Sequence, residues 1–166
     1  MEAARLEAGP SGCIAKQGDF GGKAEVTLNV FVDSSALAKR YIEEKGTDQV
    51  QAILSSASAL AVSVICVSEI VSALCRRRRE RKLSTEEYRN AKASVLSDID
   101  DATVIGITEE VLAQAVALLE KFPLCSADAL HVACAAEWST DLFVSADDRQ
   151  CTAARVHGLR VEAIRT

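Results

Sequence analysis

The chain has 166 residues and a mass of 17.7 kDa, enough for one domain with a real core and too little for two ordinary enzymatic domains. Nineteen Lys and Arg against twenty-four Asp and Glu give a formal charge of -5, which argues against a polyanion binder held by bulk positive charge but leaves room for a local basic site. Apolar residues make up 49% of the chain and aromatics 4%, so the core must be built from Ala, Val, Leu and Ile, which suits helices on a buried sheet better than an all-β sandwich.

Five of the eight glycines and Pro10 fall within the first twenty-two residues, ahead of any periodic segment, and residues 1–27 read as a disordered leader before a domain over 28–166. Leu28 to Val32 (LNVFV) is a β-branched apolar run of the kind that forms a central parallel strand. A helix is expected over Ser34 to Glu44, broken at Gly46, with Thr47 capping a second helix to about Ser58. Leu60 to Ser63 reads as a strand and Val64 to Lys82 as a long helix. Ser84-Thr85-Glu86-Glu87 opens another helix with a capping-box pattern. Thr103 to Ile107 reads as a strand, followed by a helix opened by Thr108 and ended by Pro123. The remaining elements are a helix over Ser126 to Trp138, a strand over Asp141 to Val144, a helix over Asp147 to His157 stopped by Gly158, and a last strand over Leu159 to Ile164. Five strands interleaved with helices imply a doubly wound α/β sheet, whose ligands bind beyond the carboxyl ends of the strands where the strand order switches.

No window reaches the roughly 18 apolar residues of a membrane helix, and the N-terminus, with Glu2 and Glu7, lacks the apolar core of a signal peptide, so a soluble cytoplasmic protein is expected. The six cysteines contain no C-x-x-C pair and read as small buried hydrophobes in a reducing compartment.

Two acids stand where the switch-point rule puts chemistry: Asp33 after LNVFV and Asp147 after DLFV. Either can equally be a helix N-cap. Glu69 lies inside the Val64 to Lys82 helix, sharing an arc of about 100° with Ser68, Ser72 and Arg76. Asp128 falls in the first turn of its helix, where a carboxylate also favours the helix dipole. Four acids at one rim of a sheet would repel one another unless a cation neutralised them. An oxygen-only set suits Mg²⁺ or Mn²⁺, ions that activate water in phosphodiester hydrolysis.

The segments VFVDSSALAKRYIEEKG, VSEIVSAL, SADALHVACA and LFVSADDR, in this order and spacing, resemble the PIN-domain ribonucleases, most closely the VapC-type toxins of toxin–antitoxin pairs. The resemblance covers about Leu28 to Ile164. It implies a three-layer α/β/α sandwich with a mostly parallel five-stranded sheet and an Mg²⁺- or Mn²⁺-dependent site that cleaves RNA. It also implies a homodimer and a cognate antitoxin whose tail lies near the first helices. The family's four acids match Asp33, Glu69, Asp128 and Asp147, and its small hydroxyl position matches Ser145. Asp148 reads as a helix-start residue. The leader departs from family members that begin almost at their first strand.

Residues 76–82 carry six basic side chains in seven, which reads either as a solvated helix end or as a phosphate-steering patch. Arg76 lies on nearly the same helix face as Glu69, roughly 10 Å further along, and with Arg79 is the candidate for RNA contact, whereas Arg77 and Arg78 are expected to point elsewhere, there to serve RNA or a partner. His131 is expected to be a packed or hydrogen-bonded helix residue, His157 a helix-end residue, and Trp138 a core or interface anchor. Val50, Ile53 and Leu54 are candidates for partner contact and equally for the core. Other functions stay open on the residues: a noncatalytic RNA- or protein-binding module whose acids are caps, an RNA-processing nuclease that is not a toxin, or a phosphatase with Asp33 as nucleophile. The last is weakened because Asp33-Ser34-Ser35 has no second acid to protonate a leaving group.

Overall fold

The computed structural model describes residues 28–165, so the proposed leader and Cys13 lie outside the described residues. Five strands form one parallel sheet: β1 (Asn29–Val32), β2 (Ala59–Ser63), β3 (Thr103–Ile105), β4 (Leu142–Ser145) and β5 (Val161–Ala163), in the order β3-β2-β1-β4-β5. The helices are α1 (Ser34–Leu37), α2 (Thr47–Ser56), α3 (Cys66–Arg79), α4 (Thr85–Asp100), α5 (Glu109–Lys121), α6 (Ser126–Glu137) and α7 (Asp148–Val156).

The alternation of strand side chains builds the three layers. Val30, Val32, Val62, Leu142 and Val144 point to one face and pack with α1 to α4, whereas Phe31, Ala61 and Phe143 point to the other and pack with α5, α6 and α7. In a chain short of aromatics, Phe31 and Phe143 stack across β1 and β4 with centroids 6.0 Å apart. The sheet is fully parallel rather than mostly so. Among the described residues no helix is long and apolar enough to cross a membrane.

Four local expectations are corrected. The helix expected over Ser34 to Glu44 is one α-helical turn followed by a 3-10 turn over Ala38–Arg40. The chain leaves it because Lys39, which is buried, donates to Glu44 Oε1 at 2.9 Å and to the Lys45 carbonyl at 3.1 Å, folding the following loop back over its own base. Glu44 also accepts from Arg77 at 2.6 Å, and these cations hold its carboxyl below the usual range although burial pushes it up.

Thr47 is not the cap of α2; Gly46 is, with φ of 95°. The Thr47 hydroxyl instead pins the loop, accepting from the Glu44 N–H and lying within hydrogen-bond reach of the Lys39 and Glu44 carbonyls. Helix α3 stops at Arg79 rather than Lys82 because Arg81 turns into the left-handed region (φ 59°) and the Lys82 N–H bonds back to the Arg77 carbonyl. The capping box at Ser84 and Glu87 is present as expected. Cys66, Cys134 and Cys151 are buried, but Cys75 is only partly so and Cys125 is exposed, its sulfur accepting the Asp128 N–H as the N-cap of α6.

Gly46 is confined on two counts. Its backbone is left-handed, and a Cβ there would stand 2.6 Å from Ile164 Cγ2 and 2.8 Å from the Arg165 carbonyl oxygen. Gly158 shares the conformation (φ 96°) but faces open space. Gly158→Ala should therefore cost about 1–2 kcal/mol, the strain of a left-handed L-residue, and Gly46→Ala distinctly more. Denaturant midpoints of the two variants check the difference, and equal losses would contradict the close approach at Gly46.

Candidate functional site

The strand order reverses between β1 and β4. Helix α1 leaves β1 toward one face and α7 leaves β4 toward the other, so a crevice opens at their carboxyl ends. Asp33 sits at its base, fully buried, with its N–H on the Val144 carbonyl at 3.0 Å. Its carboxylate accepts from the Ala36 N–H at 2.8 Å, from Ser35 Oγ at 2.7 and 2.9 Å and from Ser145 Oγ at 2.9 Å. Burial pushes the Asp33 carboxyl up, while nearby His131 and these donors pull it down; burial prevails.

Ser145, also fully buried, extends the link, since its Oγ accepts the Asp147 N–H at 3.0 Å while Ser35 Oγ accepts that of Ala146 at 3.0 Å. Two hydroxyls thus stitch the end of β4 to the first acid.

Glu69, in the first turn of α3, is half-buried rather than on a solvated face. Its Oε2 meets Ser34 Oγ at 2.8 Å and His131 Nε2 at 2.6 Å. Burial raises its pKa, but the His131 and Ser34 contacts outweigh that and hold the carboxyl below its ordinary value. His131 is buried and its Nδ1 reaches Ser63 Oγ at 2.9 Å, so a hydroxyl at the end of β2 orients the imidazole that orients Glu69.

Asp128 is the third residue of α6, on the same face as His131 one turn later. Its Oδ2 accepts the Cys125 N–H at 3.2 Å and its Oδ1 accepts from Gln150 Nε2 at 2.8 Å. Asp147 caps α7, accepting the N–H groups of Arg149 and Gln150 at 2.7 and 3.2 Å and the Arg149 guanidinium at 3.1 Å. Burial raises the Asp147 carboxyl, and the Arg149 and backbone donors more than reverse that, leaving it below its ordinary value. Asp148 is exposed and simply begins α7.

The four acids are joined through neighbours: Asp33 to Asp147 by Ser145, Asp147 to Asp128 by Gln150, and Asp33 to Glu69 by the adjacent Ser34. As the side chains stand, no three His, Cys, Asp or Glu groups among the described residues close around one point to hold an ion. The donor chemistry nonetheless fits a hard divalent cation. Asp33 is a fully buried carboxylate whose hydrogen-bond partners are all neutral, and the Oε1 of buried Gln150, beside Asp128, has no partner.

Arg76 and, contrary to expectation, Arg77 line a groove of about 560 Å³ that also includes Ser34, Ser35 and Glu69. Arg78 instead lies over the Tyr88 ring at 4.6 Å, and Arg79 is exposed in the last turn of α3. The parts that sequence reasoning missed are Ser34, Ser35, Ser63 and Gln150. The first two carried a signal, standing directly after the first acid.

A fully parallel, doubly wound sheet with acids ringing its switch point defines a class of α/β protein that binds its ligand at that crevice. The PIN domain family model matches residues 30–156, and the chain belongs to that family. No curated protein is a significant sequence match. Similar solved structures include VapC20 of Mycobacterium tuberculosis, a sarcin-ricin loop cleaving toxin, at 18% identity and a TM-score of 0.59 over 78% of this chain and 95% of that one. DNA-bound VapBC of Salmonella typhimurium is 13% identical with a TM-score of 0.59, covering 84% and 100% of the two chains. FitAcB of Neisseria gonorrhoeae is 16% identical with a TM-score of 0.56, covering 80% and 95%.

Because burial raises the Asp33 pKa, its charged form is a cost to the metal-free fold. The contribution of this carboxyl is most favourable below its unfolded pKa and is lost as pH rises through the higher folded value. Asp33→Asn should therefore raise Tm at pH 7 in chelator, by roughly 2–4 °C if the relief is about 1 kcal/mol. That gain should shrink toward pH 4. A variant less stable than wild type at pH 7 would show that the hydroxyl and amide donors already compensate the buried charge.

Proposed function

We propose that the chain is a cytoplasmic endoribonuclease that hydrolyses RNA phosphodiester bonds with Mg²⁺ or Mn²⁺ and acts as the toxin of a toxin–antitoxin pair. One observation carries this reading: in a PIN-family chain, Asp33 is buried at the switch point against neutral donors alone, with three further acids on the same rim. The likeness to VapC and VapBC proteins supports RNA as substrate and an antitoxin as partner. An exposed apolar stripe on α5, formed by Leu112, Val116 and Leu119, supports a homodimer.

Asp33, Glu69 and Asp128 would hold the cation, with Asp147 bound directly, through water, or at a second ion. When bound, the cation supplies Lewis acidity, lowering the pKa of a water and stabilising charge on the phosphoryl group. The chain's own residues prepare that chemistry. Ser35 and Ser145 fix the Asp33 carboxylate, and Ser63 and His131 fix Glu69 through Oε2. Arg76, two turns along α3 from Glu69, meets phosphates flanking the scissile bond. No side chain serves as nucleophile, so hydrolysis proceeds without a covalent intermediate.

A noncatalytic RNA- or protein-binding module is the second reading, favoured by the cap duties that Asp33, Asp128 and Asp147 already perform. Incubating wild type with cellular RNA in Mg²⁺, Mn²⁺ or chelator separates the two. The nuclease reading expects cleavage only with metal and at least about 10²-fold slower in Asp33→Asn, comparable to losing one strong electrostatic stabiliser. Binding without cleavage favours the module, and cleavage equal in the two proteins removes Asp33 from the chemistry. Arg76→Ala with Arg79→Ala should weaken RNA binding and reduce the slope of log K against log salt by roughly 1–1.5. An unchanged slope makes the basic run a solvated helix end.

A further inference from the structure

Gln150 is 2% exposed, and its two amide ends are treated differently. Nε2 donates to Asp128 Oδ1 at 2.8 Å, whereas Oε1 is buried without a partner. It is the single buried side-chain N or O atom in that condition among the described residues. The amide cannot be turned to cure this, because rotation would set Oε1 against a carboxylate and leave Nε2 without an acceptor. The backbone N–H of the same residue bonds Asp147 Oδ1 at 3.2 Å. One residue on the first turn of α7 therefore holds both an acid on α6 and the acid that caps its own helix. A residue needed only for packing would carry no amide, since a buried carbonyl without a donor costs stability; the bond to Asp128 is what the amide supplies.

We propose that Gln150 is a positioning residue of the acidic site: its side-chain N–H fixes the Asp128 carboxylate, while its own Oε1 stays buried without a donor. The inference rests on the metal-dependent reading above. A neutral donor is suited to that place. It holds one carboxylate oxygen without cancelling its charge and without adding a fifth negative charge to a site where carboxylates already repel. It also couples α6 to α7, so that a displacement of Asp128 is felt at Asp147.

The test is Mn²⁺ calorimetry on the full chain, comparing wild type, Asp33→Asn, Gln150→Met and Gln150→Asn, with thermal unfolding of each in chelator. Methionine keeps the length without the amide; asparagine keeps the amide but is one methylene too short to reach Asp128. Both should bind Mn²⁺ roughly 10–100-fold more weakly, the usual effect of removing a group that orients a metal ligand, and Gln150→Met should be at least as stable as wild type without metal. In wild type, the Gln150 side-chain amide resonances should shift on Mg²⁺ titration. Wild-type Mn²⁺ affinity in whichever variant folds, or amide resonances indifferent to Mg²⁺, overturns the role of Gln150 alone. A wild type that binds no Mn²⁺, or binds it as well in Asp33→Asn, overturns the metal reading and this inference with it.

Discussion

Where β1 and β4 run side by side, the chain must send one following helix to each face of the sheet, and the notch this leaves is closed by a buried carboxylate. Asp33 receives two serine hydroxyls and a helix N–H, and its own N–H reaches across to β4. Most of what surrounds the crevice depends on that arrangement. The α1 turn starts because Asp33 caps it, the β4 terminus is aligned because Ser145 reaches Asp33, and Asp147 is placed because its N–H rests on Ser145. A buried charge met by neutral donors is a poor contribution to stability.

Each acid has a structural task. Asp33, Asp128 and Asp147 satisfy the open N–H groups of α1, α6 and α7, and Glu69 anchors His131. Structural and chemical roles need not compete on one side chain, because a carboxylate has about four lone-pair directions and a cap uses only some of them. The four acids stand at the starts of four different helices, and as the side chains stand no three such groups among the described residues close around one point.

Much of this was legible in the sequence. The central strands β1, β2 and β4 are readable because each is a short, largely apolar run followed by a turn, the edge strand β3 because it is β-branched throughout and the edge strand β5 because a charged residue alternates with apolar ones, and four acids at strand ends and first turns mark the rim. Local signals failed where tertiary contacts decided. Nothing in SSALAKRYIEEK says that Lys39 will be buried and will pull Glu44 and Lys45 back, ending the helix early. Thr47 has the composition of a cap, yet the left-handed Gly46 takes that position and the hydroxyl turns to the loop. Helical phase turns Arg77 away from the Glu69 face, yet its side chain pairs with Glu44 and lines the groove. Gln150 carried no signal, since a glutamine in a helical first turn is ordinarily solvent-facing and only the approach of α6 buries it.

The bond from Ser145 to Asp33 spans 112 residues of chain. Contacts of such separation form late, after the intervening segments have found their places, and during synthesis the second partner leaves the ribosome long after the first. The crevice therefore has no partial form: a nascent or truncated chain that ends before β4 lacks the wall that completes it. A fragment ending short of β4 would carry Asp33 without the Ser145 hydroxyl and the Val144 carbonyl that fix it.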